Sequence, residues 1–335
     1  MKNKTWIFSI ITIFVVAVLA WFFLGVDSKN VPESNIPKAS LRFGWIPSAS
    51  FSGEVIGAKL FAKKNNLDLS LEAGGPGLNP IQLVQAGQNT FGTIAADEVL
   101  AANDKGADFV IIGVINYYSP GGFVSLEKEN ITRPQDLVGK RVGLLPFGST
   151  TLLYESLLRK NNIEKNKVKE IVVSPDLKPF LSGSYDVHPV FVYDETVTLD
   201  MQGIKYNLIE PKDFGVGFKG PVYFCKRETL EKQPQLVQAF IKTMVQGWNY
   251  AIENRAEAIK LLKEFAPEID EKREASVLEK AVPYYRAYRN QPINSDNESW
   301  EAMITELKEL KVLRNDVDLK NVLRLQFVQS YYGDR

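Results

Sequence analysis

The stretch "LRFGWIPSASFSGEVIGAKLFAKKNNLDLSLEA" (residues 41–73) decides the fold class. Its first six residues, "LRFGWI" (41–46), read as an apolar strand. "GEVIGAKLFAKKN" (53–65) carries apolar residues at helical spacing, and "LDLSLEA" (67–73) alternates with the period of two that marks a strand. A strand, an amphipathic helix and a second strand in this order make a βαβ unit, whose strands lie parallel in one sheet. Between the first strand and the helix sits "PSASFSG" (47–53), with three serines, an aromatic and a glycine. Open α/β sheets bind ligands beyond the carboxyl ends of their strands, which is where this turn falls.

Outward from this unit the pattern repeats. Asn79-Pro80 reads as the N-cap and first position of the helix "IQLVQAG", which stops at Gly87. A strand "FGTIA" (91–95), a short helix from near Asp97 and a strongly apolar strand "FVIIGVI" (109–115) follow. Further on, "KRVGLL" (140–145) is a strand, "PFGS" a loop, and "TTLLYESLLRKNN" a helix capped by Ser149 or Thr150. "EIVVS", "VHPVFVY" and "PVYFCK" (221–226) are strands, and "ETVTLDMQG" is a short helix ending at Gly203. From Glu228 the chain is mainly helical: "QPQLVQAFIKTMVQGWNYAIEN", "RAEAIKLLKEFA" and "SWEAMITELKEL" carry apolar stripes at 3.6 spacing. The expected architecture is α/β: two open, mainly parallel sheets flanked by helices, forming two lobes that face each other.

Composition narrows the chemistry. The 335 residues are 45% hydrophobic and 24% charged, an ordinary globular balance. Forty Lys and Arg against forty Asp and Glu leave no basic footprint for nucleic acid. Cys225 is the single cysteine and His188 the single histidine, so no intrachain disulfide or cysteine-based metal site can form and nearly all histidine-centred chemistry is removed. A serine hydrolase would have His188 as its only base, and "FLSGS" lacks the first glycine of a nucleophile elbow. "GGPG" (74–77) does not open a helix as a phosphate-binding loop would, and no G-K-[ST] occurs. No cofactor and no metal is expected.

The first 26 residues differ from the rest. Lys2 and Lys4 precede the uncharged run "WIFSIITIFVVAVLAWFFLGV" (6–26), long enough to span a bilayer as an uncleaved anchor; a cleaved signal is the alternative. In either case the flanking lysines leave the rest of the chain outside the inner membrane. Residues 27–40, "DSKNVPESNIPKAS", read as a flexible linker.

Several predicted strand-to-helix turns carry aromatic and hydrogen-bonding side chains: Trp45, Ser48, Ser50, Asp97, Tyr117, Tyr118, Tyr193, Asp194 and Glu195. Flat aromatics with a few polar groups line small-molecule pockets. Taken singly, Trp45 has a core reading, the serines a turn reading, Asp97 an N-cap reading and Glu195 a helix-dipole reading. "PFGSTT" presents backbone N–H groups at a helix start, a natural anion or carbonyl-oxygen site. There Ser149 and Thr150 serve equally well as cap or as ligand contact. Acids among these turns favour a ligand with amino groups.

Three further segments carry a resemblance. "GGFVSLEKENITRPQDLVGKRVGLLPFGST" (121–150), "FGTIAADEVLAANDKGADFVIIGVI" (91–115) and "LEKQPQLVQAFIKTMVQGWNYAIENRAEAIKLL" (230–262) occur in the order seen in periplasmic substrate-binding proteins of ABC importers. The chain resembles the branch that carries thiamine-pyrimidine precursors, with nitrate, sulfonate and taurine binders as cousins, over roughly residues 41–330. The resemblance implies a two-lobed, type II periplasmic-binding-protein fold with the ligand cleft between lobes, 41–124 plus 225–335 forming one lobe and 125–224 the other. Crossings are placed near Phe123–Leu126 and Val222–Cys225. Carried across by position, Trp45, Ser48 and Ser50 match the first turn, Asp97 the turn after "GTIA", Tyr117 and Tyr118 the turn before the hinge, and Gly148, Ser149 and Thr150 the second-lobe loop. "YDET" (193–196) takes the place of the pyrimidine binders' "N-E-P" segment, with Glu195 as its glutamate.

The resemblance further implies a monomeric, non-enzymatic binder that closes its lobes on a small nitrogenous heterocycle and delivers it to an ABC permease with its ATPase. A ligand sensor for a membrane signalling partner and a sulfonate- or nitrate-type anion binder are the alternatives. A pyrimidine synthase, in which a lysine such as Lys59 would hold pyridoxal phosphate, is a further reading. The related fungal enzymes use a reactive histidine and a cysteine-rich segment, which this chain lacks, and serine stands in "PSASFSG" where pyrimidine binders commonly have histidine.

Overall fold

The computed structural model describes residues 36–146 and 148–333. The apolar run 6–26, with the anchor or signal reading attached to it, lies outside the described residues. Among the described residues no helix is long and apolar enough to cross a membrane.

Among the described residues, ten strands form two five-stranded sheets. The first contains β1 (Lys38–Arg42), β2 (Asp68–Glu72), β3 (Phe91–Ala95), β4 (Phe109–Val114) and β10 (Pro221–Lys226), in the order β2-β1-β3-β10-β4. The second contains β5 (Gly121–Leu126), β6 (Arg141–Leu144), β7 (Lys169–Val172), β8 (Val187–Phe191) and β9 (Tyr206–Ile209), in the order β7-β6-β8-β5-β9. In each sheet one strand, β10 or β5, runs antiparallel to both of its neighbours, while the paired strands β1–β2, β1–β3, β6–β7 and β6–β8 are parallel. The protein is therefore α/β and two-lobed, with two mixed sheets rather than mainly parallel ones, half of the strand pairings being antiparallel.

β1 begins at Lys38, inside the stretch read as linker, and stops at Arg42 instead of continuing through Ile46. The reason is register: Ala39 and Leu41 point into the core while the strand pairs in step with Asp68 to Glu72. Polar neighbours hid that alternation. β4 forms the end of its sheet yet is buried throughout, because the C-terminal segment covers its edge. Arg324 N–H donates to Ile111 O at 2.8 Å and Val114 N–H to Ile293 O at 2.9 Å. That cover accounts for the apolar run 109–115 on an outer strand. At the open edges, β2 and β7 carry Asp68, Glu72, Lys169 and Glu170.

The chain passes between sheets at residues 115–120 and 210–220, just ahead of β5 and β10. The stretches 123–126 and 222–225 lie within those strands. The two connections run side by side: Gly220 N–H donates to Asn116 O at 3.0 Å and Ser119 N–H to Phe218 O at 2.7 Å. A Cβ on Gly220 would sit 2.6 Å from Asn116 Cβ, so only glycine allows this approach.

The first helix, Ser52–Ile56, widens into a π-turn over Gly57–Phe61 and lies against the long helix Pro234–Glu253. Helix Arg255–Phe265 follows the long helix, and helix Glu271–Tyr285, which the apolar-stripe reading passed over, packs beside the turn Ala49–Phe51. Helix Glu298–Glu309 faces helix Thr150–Lys160 of the second lobe, with Arg159 and Lys160 ion-paired to Glu306.

Candidate functional site

The turn "PSASFSG" is built by its own serines. Ser48 accepts from Ser50 N–H at 3.3 Å and caps a single 3-10 turn, Ala49–Phe51. The N–H of Ala49 donates to Glu274 Oε2 at 2.5 Å, and Arg273 Nη1 donates to Glu274 Oε1 at 2.6 Å. The same guanidinium pairs with Asp194 of the second lobe and approaches Thr198 Oγ1 at 3.3 Å. One arginine thus joins the first turn of one lobe to the "YDET" loop of the other. A bidentate cation is suited to this, since it holds a carboxylate on each side.

Beside this latch lies a seam of buried rings. Tyr193 from the second lobe meets Tyr284 edge-on at 5.4 Å and Tyr285 at 6.1 Å; Tyr285 lies 4.0 Å from Trp248. Trp248 Nε1 donates to the Tyr223 hydroxyl at 2.9 Å, which donates to Glu54 Oε1 at 2.6 Å. Tyr193 reaches Asn116 Oδ1 of the crossing segment at 3.5 Å. Glu54 Oε2, Asn116 Nδ2 and Ser52 Oγ are buried with no hydrogen-bond partner. Unpaired buried polar atoms are costly, so several at one junction point to groups that a bound molecule would satisfy. Burial pushes the Glu54 carboxyl up to about 8, only partly offset by hydrogen bonding from Tyr223, its own backbone N–H and Trp248, so the protonated form prevails at pH 7.

A second contact joins the lobes. Asp97 is buried in the first turn of helix Ala96–Asp104, and Ser149 donates to its Oδ1 at 2.6 Å. Burial raises Asp97 to about 6 against the opposing pull of that bond, and Glu98 beside it is raised to about 7 by burial and by the charge of Asp97. Ala95, not Asp97, is the N-cap of its helix. Ser149 stands at the N-cap of helix Thr150–Lys160 but makes no side-chain cap hydrogen bond, and Thr150 Oγ1 is buried without a partner. Ser149 instead spends its hydroxyl across the cleft. Ser149→Ala leaves Asp97 without that donor and is expected to cost about 1–2 kcal/mol in urea unfolding at neutral pH; an unchanged midpoint would show that the contact contributes nothing.

The other sequence candidates are dispersed around this junction. Trp45 is 37% exposed beside the turn, its carbonyl accepting from Gly74 N–H at 3.1 Å. Glu195 accepts from Phe191 N–H at 2.7 Å and is raised to about 7, chiefly by burial and then by Asp194. Gly148 has φ +74°, a left-handed turn just before the Ser149 contact. Tyr117 and Tyr118 belong to a separate hinge cluster. Tyr117 donates to Asp296 Oδ2 at 2.6 Å and stacks on Tyr288 at 5.2 Å, with Lys219 Nζ 3.4 Å from its ring centre. His188 and Cys225 are core residues: His188 bonds Tyr185 at 2.8 Å and burial lowers it to about 4, while burial pushes Cys225 up to about 12.

Sequence reasoning missed Glu54, Asn116, Tyr223, Trp248, Arg273 and Tyr285. Only Glu54 left a local signal, as an acid interrupting the apolar stripe of "GEVIGAKLF". The others come from distant segments that only packing brings together.

A family model described as NMT1/THI5 like matches residues 58–258. The chain belongs to the NMT1/THI5-like family. This NMT1/THI5-like protein is 21% identical over 304 residues to the 4-amino-5-hydroxymethyl-2-methylpyrimidine phosphate synthase of Legionella pneumophila subsp. pneumophila, covering 89% of this chain and 94% of that one. It is 22% identical over 303 residues to the formylaminopyrimidine-binding protein of Halalkalibacterium halodurans, covering 86% and 90%. Its structure resembles the periplasmic aliphatic sulphonate binding protein SsuA of Escherichia coli, with a TM-score of 0.69 at 17% identity over 85% of this chain and 91% of that one. The fold of this NMT1/THI5-like protein is that of periplasmic binding proteins. The desulfurization enzyme DSZB shares it at a TM-score of 0.59 and 11% identity, over 88% of this chain and 99% of that one.

Proposed function

We propose that the protein is an extracytoplasmic solute-binding component of an ABC importer, which closes its two lobes on a small, neutral nitrogenous heterocycle of the aminopyrimidine kind. The observation that carries this reading is the inter-lobe junction, where Glu54 and Asn116, tied by hydrogen bonds to the seam of Tyr193, Tyr223 and Trp248, keep buried polar atoms unpaired. Flat rings favour a flat ligand, and convergent donors and acceptors favour one with ring nitrogens and amino groups. Asp97 and Glu195, acids near the inter-lobe contacts, offer an anionic ligand no favourable charge. The names of the two curated relatives are consistent with a pyrimidine. Binding without chemistry is supported by the inert placement of His188 and Cys225. Lys59, which an enzyme reading would give to pyridoxal phosphate, does not fit that role, because it lies on the exposed face of its helix in an ion pair with Glu264 at 2.6 Å.

In a thermal-shift screen, aminopyrimidines are expected to raise the melting temperature while taurine and nitrate leave it unchanged; the reverse pattern removes the heterocycle and favours the anion reading. In the same screen Trp45→Ala, at a half-exposed site, is expected to keep the fold and lose the ligand-induced shift. A variant that still shifts fully places Trp45 outside the site.

A further inference from the structure

We propose that Glu54 sets ligand specificity: its free Oε2, as a carboxyl O–H, donates to an aromatic ring nitrogen of a neutral, amino-substituted heterocycle. This deepens the reading above and rests on it. Glu54 is fully buried in the first turn of helix Ser52–Ile56. Its Oε1 is held by Tyr223, and Tyr223 in turn by Trp248, so the carboxyl plane has a fixed orientation and one oxygen to spare. Asn116 Nδ2, also buried and unpaired, is linked to the same seam through Tyr193 and can donate to a second acceptor on the ring.

The groups facing Glu54 decide its charge state. They are Tyr223 from β10, Tyr285 from helix Glu271–Tyr285 and Tyr193 from the loop after β8, all phenols that burial raises above their usual range. Trp248 from the long helix is uncharged. Three neutral hydroxyls and an indole offer a carboxylate no cation, so the acid form prevails, in keeping with its elevation to about 8. A carboxylic acid kept neutral can donate where a carboxylate can only accept. The protonated carboxyl donates to a ring nitrogen, and that donor is lost when Glu54 ionises.

The test uses the full chain and 4-amino-5-hydroxymethyl-2-methylpyrimidine as probe, with calorimetric titration and thermal shift of parent, Glu54→Gln and Glu54→Leu. Glu54→Gln keeps an N–H donor and an acceptor for Tyr223, and is expected to bind the probe within about threefold of the parent, since it makes the same pair of hydrogen bonds. Glu54→Leu is expected to weaken binding about tenfold or more. Parent affinity is expected to fall as pH rises through about 8, while that of Glu54→Gln stays level. Unaltered binding by Glu54→Leu, at a melting temperature showing it folded, overturns the assignment of Glu54 and leaves the pyrimidine reading standing. Loss of binding in Glu54→Gln equal to that in Glu54→Leu also overturns it, because it would mean that an ionised carboxylate is required. If the parent itself ignores this probe and other aminopyrimidines, the pyrimidine reading falls and this inference falls with it.

Discussion

Gly247→Ala is expected to destabilise the protein, because its added methyl would meet main-chain atoms. A Cβ at Gly247 would stand 2.1 Å from Gly53 O, 2.7 Å from Gly57 N and 2.8 Å from Gly57 Cα. All three are main-chain atoms, so no side-chain rotation relieves the clash. From the other side, a Cβ at Gly53 would lie 2.1 Å from Trp248 Cδ2. The first helix and helix Pro234–Glu253 therefore touch backbone to backbone, and a methyl group must push them apart. Separation would open the core around Met244, Trp248 and Val55, all fully buried. Overpacking of this kind costs about 1–3 kcal/mol, occasionally more, which lowers the melting temperature of a 335-residue chain by roughly 1–5 °C. Gly217→Ala is the control, since nothing lies within 4 Å of its Cβ. Circular dichroism melts that show Gly247→Ala no worse than Gly217→Ala would remove this account of the helix contact.

The second large effect is a dependence of stability on pH, centred on Glu54. Its carboxyl is raised from 4.5 to about 8 in the folded protein, so between these limits the folded state holds a proton that the unfolded chain has released. The associated stability is complete below about 4.5 and declines until about 8, by an amount on the order of 5 kcal/mol. Asp97, raised to about 6, and Glu98 and Glu195, raised to about 7, decline in the same direction. On the acid side the sign reverses. His188 is lowered to about 4, and Asp136 and Asp186 are lowered by their hydrogen-bond partners, so their contributions are lost as pH falls. The ligand-free protein is therefore expected to be most stable in mildly acidic buffer. Glu54→Gln cannot ionise, and its stability relative to the parent is expected to rise steadily from about pH 5 to about pH 8 in urea titrations. Parallel curves for parent and variant would mean that Glu54 is already ionised in the fold.

Legibility in the sequence followed the range of the interactions involved. Helix Pro234–Glu253 and strand β3 were read almost to the residue, because an apolar stripe and a short apolar run are local patterns. The N-cap at Asn79 was legible for the same reason, its side chain accepting from Ile81 N–H at 2.8 Å two residues on. Helix Glu271–Tyr285 was missed: it starts with charged residues and holds Pro283 near its end, and its stripe becomes meaningful only where Val277, Leu278, Ala281 and Tyr285 meet the core. At the candidate site, Asp97 and Ser149 were named separately, 52 residues apart, and nothing local links them. The cap-or-contact ambiguity at Ser149 could be resolved only by a partner from the other lobe.

By itself, then, the sequence determined the alternation of strands and helices, the α/β class, the two lobes and the turns on which polar groups gather. These follow from periodicities of two and 3.6 residues and from the residues that end such runs. The tertiary structure alone decided which polar groups are paired and which are buried without partners. A hydrogen bond such as Tyr223 to Glu54 spans 169 residues, and the desolvation that keeps Glu54 neutral comes from rings contributed by β10, by two helices and by the opposite lobe. "PSASFSG" marks where the site begins, but its chemistry depends on an acid one residue further along, whose state is set by groups brought to it only by folding.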